Sequence, residues 1–167
     1  MSDEEWLTSR AVEHRLRVRY AETDQAGIVY HANFFIWFHE ARDAAFRAWA
    51  EGATRNRYGW SEQFQRIVAR GRAIGSDSLE EIGYRFLVID TSCHFISPAR
   101  YGDDLAITVV PRKTKVAKLM FAYKVLNAKT GRRLAEGNTA SAIISPTGQM
   151  MMRMPAEFAW IFDEAAR

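Results

Sequence analysis

The run 33–51 contains neither glycine nor proline, and beyond residue 84 the apolar pattern changes period. Within the run, Phe34, Trp37, Phe38, Ala41, Ala44, Ala45, Ala48 and Trp49 recur at helical spacing, with Arg42, Asp43 and Arg47 elsewhere. That is a wide apolar stripe on one long helix, and Gly52 is its predicted stop. Downstream, 84–96 is rich in β-formers, 105–111 and 119–126 alternate, and 134–144 follows a Thr130-Gly131 turn. These predict successive antiparallel strands. Upstream, 14–20 alternates Leu16, Val18 and Tyr20 with Arg15, Arg17 and Arg19, the period of a half-buried strand. A strand, one long helix and four strands predict an α+β domain in which the helix covers one sheet face.

The length of 167 residues suits one domain. We assign 1–12 to an N-terminal arm and 13–167 to that domain. Between the helix and the sheet, 53–83 carries the weakest pattern: 61–70 can form a short helix and 71–78 reads as mobile. Pro146-Thr147-Gly148 is a turn, and 155–165 reads as a closing helix with Pro155 at its first position.

Several classes of function are disfavoured. The formal charge of +3 is too small to argue for nucleic acid. A single cysteine, Cys93, precludes an internal disulfide and fits a reducing compartment. The acidic N-terminus is not a secretory signal, and the densest apolar run, 34–38, is far too short to span a bilayer. A cytoplasmic protein is therefore expected. There is no G-x-S-x-G elbow, no phosphate-binding P-loop and no dinucleotide fingerprint. His14, His31, His39 and His94 show no ligand spacing, and Cys93 and His94 would point to opposite faces of a strand. No metal and no cofactor are expected, and Cys93 reads as a small core residue.

Chemistry concentrates between the first strand and the long helix, in Tyr20-Ala-Glu-Thr-Asp24-Gln-Ala-Gly27-Ile-Val-Tyr30-His31-Ala-Asn33. Asp24 is a carboxylate in a loop. Gly27 permits a positive-φ turn. The helix start offers unpaired N–H groups and a positive dipole end. An acyl carbonyl docked there would be polarised, and the carboxylate could attack it or activate a water. Taken alone, Thr-Asp before a glycine is ordinary turn chemistry, and His31 and Asn33 can equally be capping residues.

The run 18–42, VRYAETDQAGIVYHANFFIWFHEAR, resembles the signature of the 4-hydroxybenzoyl-CoA thioesterase family of hotdog-fold proteins, in the branch of the Tol-Pal-associated acyl-CoA thioesterase. Weaker similarity continues through 95–107, 131–149 and 154–158. The resemblance implies a hotdog fold, a long helix wrapped by a curved antiparallel sheet. It implies hydrolysis of acyl-CoA thioesters in a homodimer or homotetramer with sites between subunits. On it, Asp24 matches the catalytic carboxylate, and the His31 N–H faces the thioester oxygen. Gly27, Tyr30 and Asn33 line the substrate site. CoA enters as part of the substrate. His31-Ala32-Asn33 stands where the 4-hydroxybenzoyl enzyme carries Tyr-Pro-Asn, so that acyl group is not transferred.

A basic run, Arg112, Lys113, Lys115 and Lys118, lies between two predicted strands. It reads either as a solvated hairpin tip or, as the resemblance implies, as a cradle for CoA phosphates centred on Lys115, with Lys118 beside it. Two rival functions share the fold: a non-catalytic acyl-CoA-binding module and an acyl-carrier-protein thioesterase. Asp24 discriminates against the first, because a binder needs no carboxylate at the carbonyl.

Overall fold

A computed structural model describes residues 10–54, 80–81, 83–155 and 158–162. Its elements are β1 (Val12–Arg17), α1 (Ala32–Thr54), β2 (Arg85–Phe95), β3 (Asp104–Arg112), β4 (Lys118–Asn127), β5 (Arg133–Ile144) and α2 (Ala159–Phe162). The five strands form one antiparallel sheet in the order β1-β3-β4-β5-β2. The expected α+β arrangement of one long helix against one sheet is present. The expectations for 1–9, 61–70 and 71–78 lie outside the described residues.

The helix face of the sheet is built by period-two alternation. Leu105, Ile107 and Val109 of β3 and Leu119, Phe121, Tyr123 and Val125 of β4 are fully buried against Trp37, Phe38, Ala41, Ala45, Phe46 and Trp49 of α1. Phe38 stacks on Tyr123 with ring centroids 4.3 Å apart, and Trp49 on Phe121 at 5.9 Å. The close approach of Phe38 requires a glycine beneath it: a Cβ on Gly137 would sit 2.4 Å from the ring. Cys93 is half-buried against the same core, and its burial pushes the thiol up to about 11.

Two boundaries differ from the sequence reading. β1 ends at Arg17, not residue 20. Val18 instead exchanges backbone hydrogen bonds with the turn before β3, donating to Asp103 and accepting from Gly102. The chain then coils into a 3-10 turn over Tyr20–Glu22, which leaves Tyr20 78% exposed. α1 passes through Gly52 to Thr54, because a cost of about 1 kcal/mol for a helical glycine is small beside tertiary packing. On its stripe Ala48 is exposed and Ala50 is buried. Of the closing helix, Ala159–Phe162 is described, preceded by a turn in which the Phe158 N–H donates to Pro155 O at 3.1 Å, with Phe158 and Ile161 buried.

β2 is an edge strand with a register shift between Val88 and Asp90. The shift moves the alternation by one residue. Phe86 packs on the core before it, and Cys93 and Phe95 face the core and Phe34 after it. Leu87, Val88, Ile89, Phe95 and Ile96 remain 44–53% exposed.

Candidate active site at the start of the long helix

The segment between β1 and α1 folds as a small closed loop. Thr23 and Val29 form an isolated antiparallel bridge, and the Tyr30 N–H continues it by donating to the Glu22 carbonyl at 2.9 Å. Asp24 sits at the loop's first position: its N–H donates to Ile28 O, and its carbonyl accepts from Gly27 N–H. Gly27 has φ +69°, and a Cβ there would meet nothing within 4 Å. The glycine therefore serves backbone conformation and not space. The Val29 N–H donates to Ala99 O, and Arg100 Nη1 reaches Gly27 O at 3.4 Å, so the loop is tied to the chain just before β3.

The Asp24 carboxylate is exposed. Oδ1 accepts the Ala26 N–H at 2.8 Å, an Asx turn that fixes the side chain. Oδ2 has no partner among the described residues.

The helix start lies beside this loop. Asn33 N–H and Phe34 N–H already donate to Tyr30 O and His31 O. Among the described residues no acceptor lies against the N–H groups of His31 or Ala32. These are orphan donors at the positive end of a 23-residue helix. The His31 ring is exposed, 4.5 Å from Tyr30 and 6.3 Å from Phe95, centroid to centroid. Beside it opens an apolar cavity of about 370 Å³ lined by Ile28, Val29, Phe34, Phe95, Ile96 and Pro98, among others. A carboxylate with a free oxygen, two unpaired N–H groups and an apolar recess can bind a carbonyl carrying a hydrophobic group. They can also stabilise negative charge on its oxygen.

The structure brings Asp24, Gly27, Tyr30 and His31 into one loop and helix start. The Asn33 amide is engaged elsewhere, donating to Glu22 O at 2.8 Å. Lys115 and Lys118 are exposed on the β3–β4 hairpin, beyond the far end of β3 from the Asp24 loop. Nine residues of β3 set the two groups roughly 30 Å apart within one chain.

Sequence reasoning missed Glu22. This carboxylate is buried and collects four donors: Arg19 N–H (2.7 Å), Arg19 Nε (3.1 Å), Arg19 Nη2 (2.7 Å) and the Trp37 indole N–H (3.1 Å). Desolvation pushes its carboxyl up, but the bonds from the Arg19 side chain and backbone and from Trp37, with the Arg19 charge, hold it below the usual range. Arg19 is raised in turn by its bond to Glu22. The available signal was an acidic residue three after an arginine and fifteen before a tryptophan, which has meaning only once the helix is docked.

Among the described residues there is no cluster of three His, Cys, Asp or Glu able to hold a metal, and no helix long and apolar enough to cross a membrane.

Residues 18–162 match the model of the thioesterase-like superfamily. A Bacillus subtilis protein, YneP, named as a candidate acyl-CoA thioesterase, is 56% identical over 112 residues, 67% of this chain. The match spans 64% of that relative's length, just under two thirds. A 1,4-dihydroxy-2-naphthoyl-CoA hydrolase of Nostoc punctiforme is 25% identical over 86% of the chain and 82% of its own. Among solved structures, a 1,4-dihydroxy-2-naphthoyl-CoA thioesterase from Synechocystis superposes with a TM-score of 0.63 at 21% identity. That superposition covers 92% of this chain and 96% of the other. At such identity the likeness establishes the fold.

Proposed function

The chain belongs to the thioesterase-like superfamily and has its hotdog fold, and from that premise we propose that it hydrolyses acyl-CoA thioesters to the free acid and CoA. The observation that supports this reading is that the Asp24 loop, closed by the Thr23–Val29 bridge, runs directly into a helix start with an unpaired His31 N–H, and that an apolar recess lined by Val29, Phe34 and Phe95 opens at that start. The thioester carbonyl docks with its oxygen toward the His31 N–H, and the acyl group enters the recess beside Phe34 and Phe95. Asp24 Oδ2 then either takes a proton from a water that attacks the carbonyl carbon, or attacks it directly. The tetrahedral oxyanion rests on the helix start, and the CoA thiolate departs and takes up a proton; on the direct route a water then cleaves the mixed anhydride to the free acid and restores Asp24. Gly27 holds the turn that aims Asp24, and Tyr30 and Asn33 shape the mouth, Asn33 through its bond to Glu22. No cofactor is required, and the reading places the enzyme in the cytoplasm as one domain over 13–167, in the 4-hydroxybenzoyl-CoA thioesterase family and nearest its Tol-Pal-associated branch by the 18–42 segment.

The separation of Asp24 from Lys115 and Lys118 argues that the site is completed by a second copy. Among the described residues β2 is an unpaired, apolar sheet edge, which invites pairing with another strand. Antiparallel pairing of two β2 edges about a twofold axis turns the second copy end for end. Its Lys115 hairpin then lies toward the first copy's Asp24 end, where it can meet the phosphates of CoA. A homodimer, or a tetramer of two such dimers, follows.

The test is hydrolysis of a panel of aryl-, short- and long-chain acyl-CoAs by the wild type and by Asp24→Asn. Asn keeps the shape but neither attacks nor accepts a proton, so turnover should fall on the order of a hundred- to ten-thousand-fold, with KM nearly unchanged. Binding of acyl-CoA without hydrolysis of any member would favour the non-catalytic module. Preference for acyl groups on the carrier protein would favour the second rival.

A further inference from the structure

Glu22 touches both halves of the candidate site. Its carbonyl accepts two donors from beyond the loop, Tyr30 N–H and Asn33 Nδ2, and its carboxylate accepts the indole of Trp37, which is fully buried on α1. Asp24 lies two residues after it, and His31 follows Tyr30 directly. One residue therefore closes the base of the loop that carries the carboxylate and clamps that base to the helix that carries the N–H donors.

The carboxylate itself is not a spare base. Three donors crowd Oε1 and the Arg19 N–H takes one of the two lone-pair sites of Oε2. A carboxylate so engaged, 6% exposed and paired with Arg19, is placed to orient its neighbours and not to meet a substrate.

We propose that Glu22 is the positioning residue of this site, fixing the offset between the Asp24 carboxylate and the His31 N–H by bonding loop and helix at a single point. The proposal rests on the thioesterase reading for its effect on rate, but not for its effect on loop geometry. Rates that depend on placement are steep in distance, and about 1 Å of misplacement can cost roughly a hundredfold. Glu22→Gln keeps the volume and turns one acceptor into a donor facing donors, so the clamp loosens while the core stays filled. Trp37→Phe removes the indole donor together with some buried ring volume, so its kcat is read per folded site.

The experiment uses the full chain as wild type, Glu22→Gln, Trp37→Phe and the double variant. Amide hydrogen exchange is followed by NMR, and kcat and KM are measured on the best acyl-CoA of the panel. We expect faster exchange at the Val29 and Tyr30 amides in Glu22→Gln, and kcat lower by about 10- to 100-fold with KM within a few-fold. Trp37→Phe should lower kcat less, and the double variant should fall little further than Glu22→Gln, because both act through one bond. If kcat per folded site stays at the wild-type value in Glu22→Gln, the residue is a stabilising one only and the inference is overturned. If the wild type hydrolyses no acyl-CoA, the thioesterase reading fails by itself. Exchange then decides the clamp: unchanged rates at Val29 and Tyr30 overturn it, and faster rates uphold it.

Discussion

At the scale of single residues, the proposed reaction turns on a backbone donor that no ordinary substitution removes. α1 begins at Ala32, so His31 is the residue before the first helical turn and both positions carry unpaired N–H groups. Proline deletes either one. Proline is well accepted at the first helical position, and the Tyr-Pro-Asn variant of the resembled family has proline where Ala32 stands. We therefore expect Ala32→Pro to stay within a few-fold of wild-type kcat. His31→Pro should lose roughly a hundred- to a thousand-fold, the worth of one oxyanion donor, and His31→Ala far less. Steady-state kinetics with circular dichroism as a folding control would check the series. Equal damage from His31→Ala and His31→Pro in folded protein would move the role to the imidazole. Glu22 adds a dependence on acid. Its carboxyl is held below the ordinary range, so its stabilisation is present above the unfolded carboxylate value. It is lost as pH falls through the lower, folded value. Acid titration of thermal stability should show a steeper decline in wild type than in Glu22→Gln. At this scale Asp24 and Gly27 were legible because turn chemistry is local. Glu22 was not, because its partners are assembled by the fold.

At the scale of elements, pattern located the helix and all five strands but misjudged where they stop. β1 ends early because Val18 finds its backbone partners in the turn at 102–103, a contact with no local signature. α1 outlasts Gly52 because burial of Trp49 and Ala50 outweighs intrinsic preference. The fit of α1 on the sheet rests on one small position. A Cβ at Gly137 would lie 2.4 Å from Phe38 and 2.7 Å from Ser92 O. Gly137→Ala should destabilise the fold by about 1–3 kcal/mol or more through overpacking, read as a lower denaturation midpoint. A wild-type midpoint would mean that Phe38 swings aside freely. Because Phe38 follows Trp37 on the helix, partial loss of activity should accompany the loss of stability.

At the scale of the whole molecule, composition had little to say about assembly, whereas the β2 edge, unpaired among the described residues, and the distant hairpin support the proposed pairing. Light scattering should report a dimer or tetramer, and an active monomer would contradict the shared site. Lys115→Ala should raise KM for full CoA esters with kcat unchanged, since phosphate contacts are equal in ground and transition states. The effect should shrink as salt screens the charge. Thioesters lacking the nucleotide should not notice the change. An unaltered KM with full CoA esters would leave Lys115 as a solvated hairpin residue.

The register shift in β2 has a consequence for how this sequence can change. Phe95 faces Phe34 and His31 only because one extra residue between Val88 and Asp90 resets the strand's alternation. Loss of Ile89 by an in-frame deletion would leave Val88 and Asp90 opposite 141 and 140 in regular alternation, with Cys93 and Phe95 still on the core face. A one-residue insertion or deletion between Asp90 and Phe95, with the extra residue at 89 kept, would instead turn Phe95 over and exchange it with a polar neighbour. Such changes, harmless in a surface strand, are closed to this half. The wall of the recess is inherited as a matter of counting as much as of residue identity.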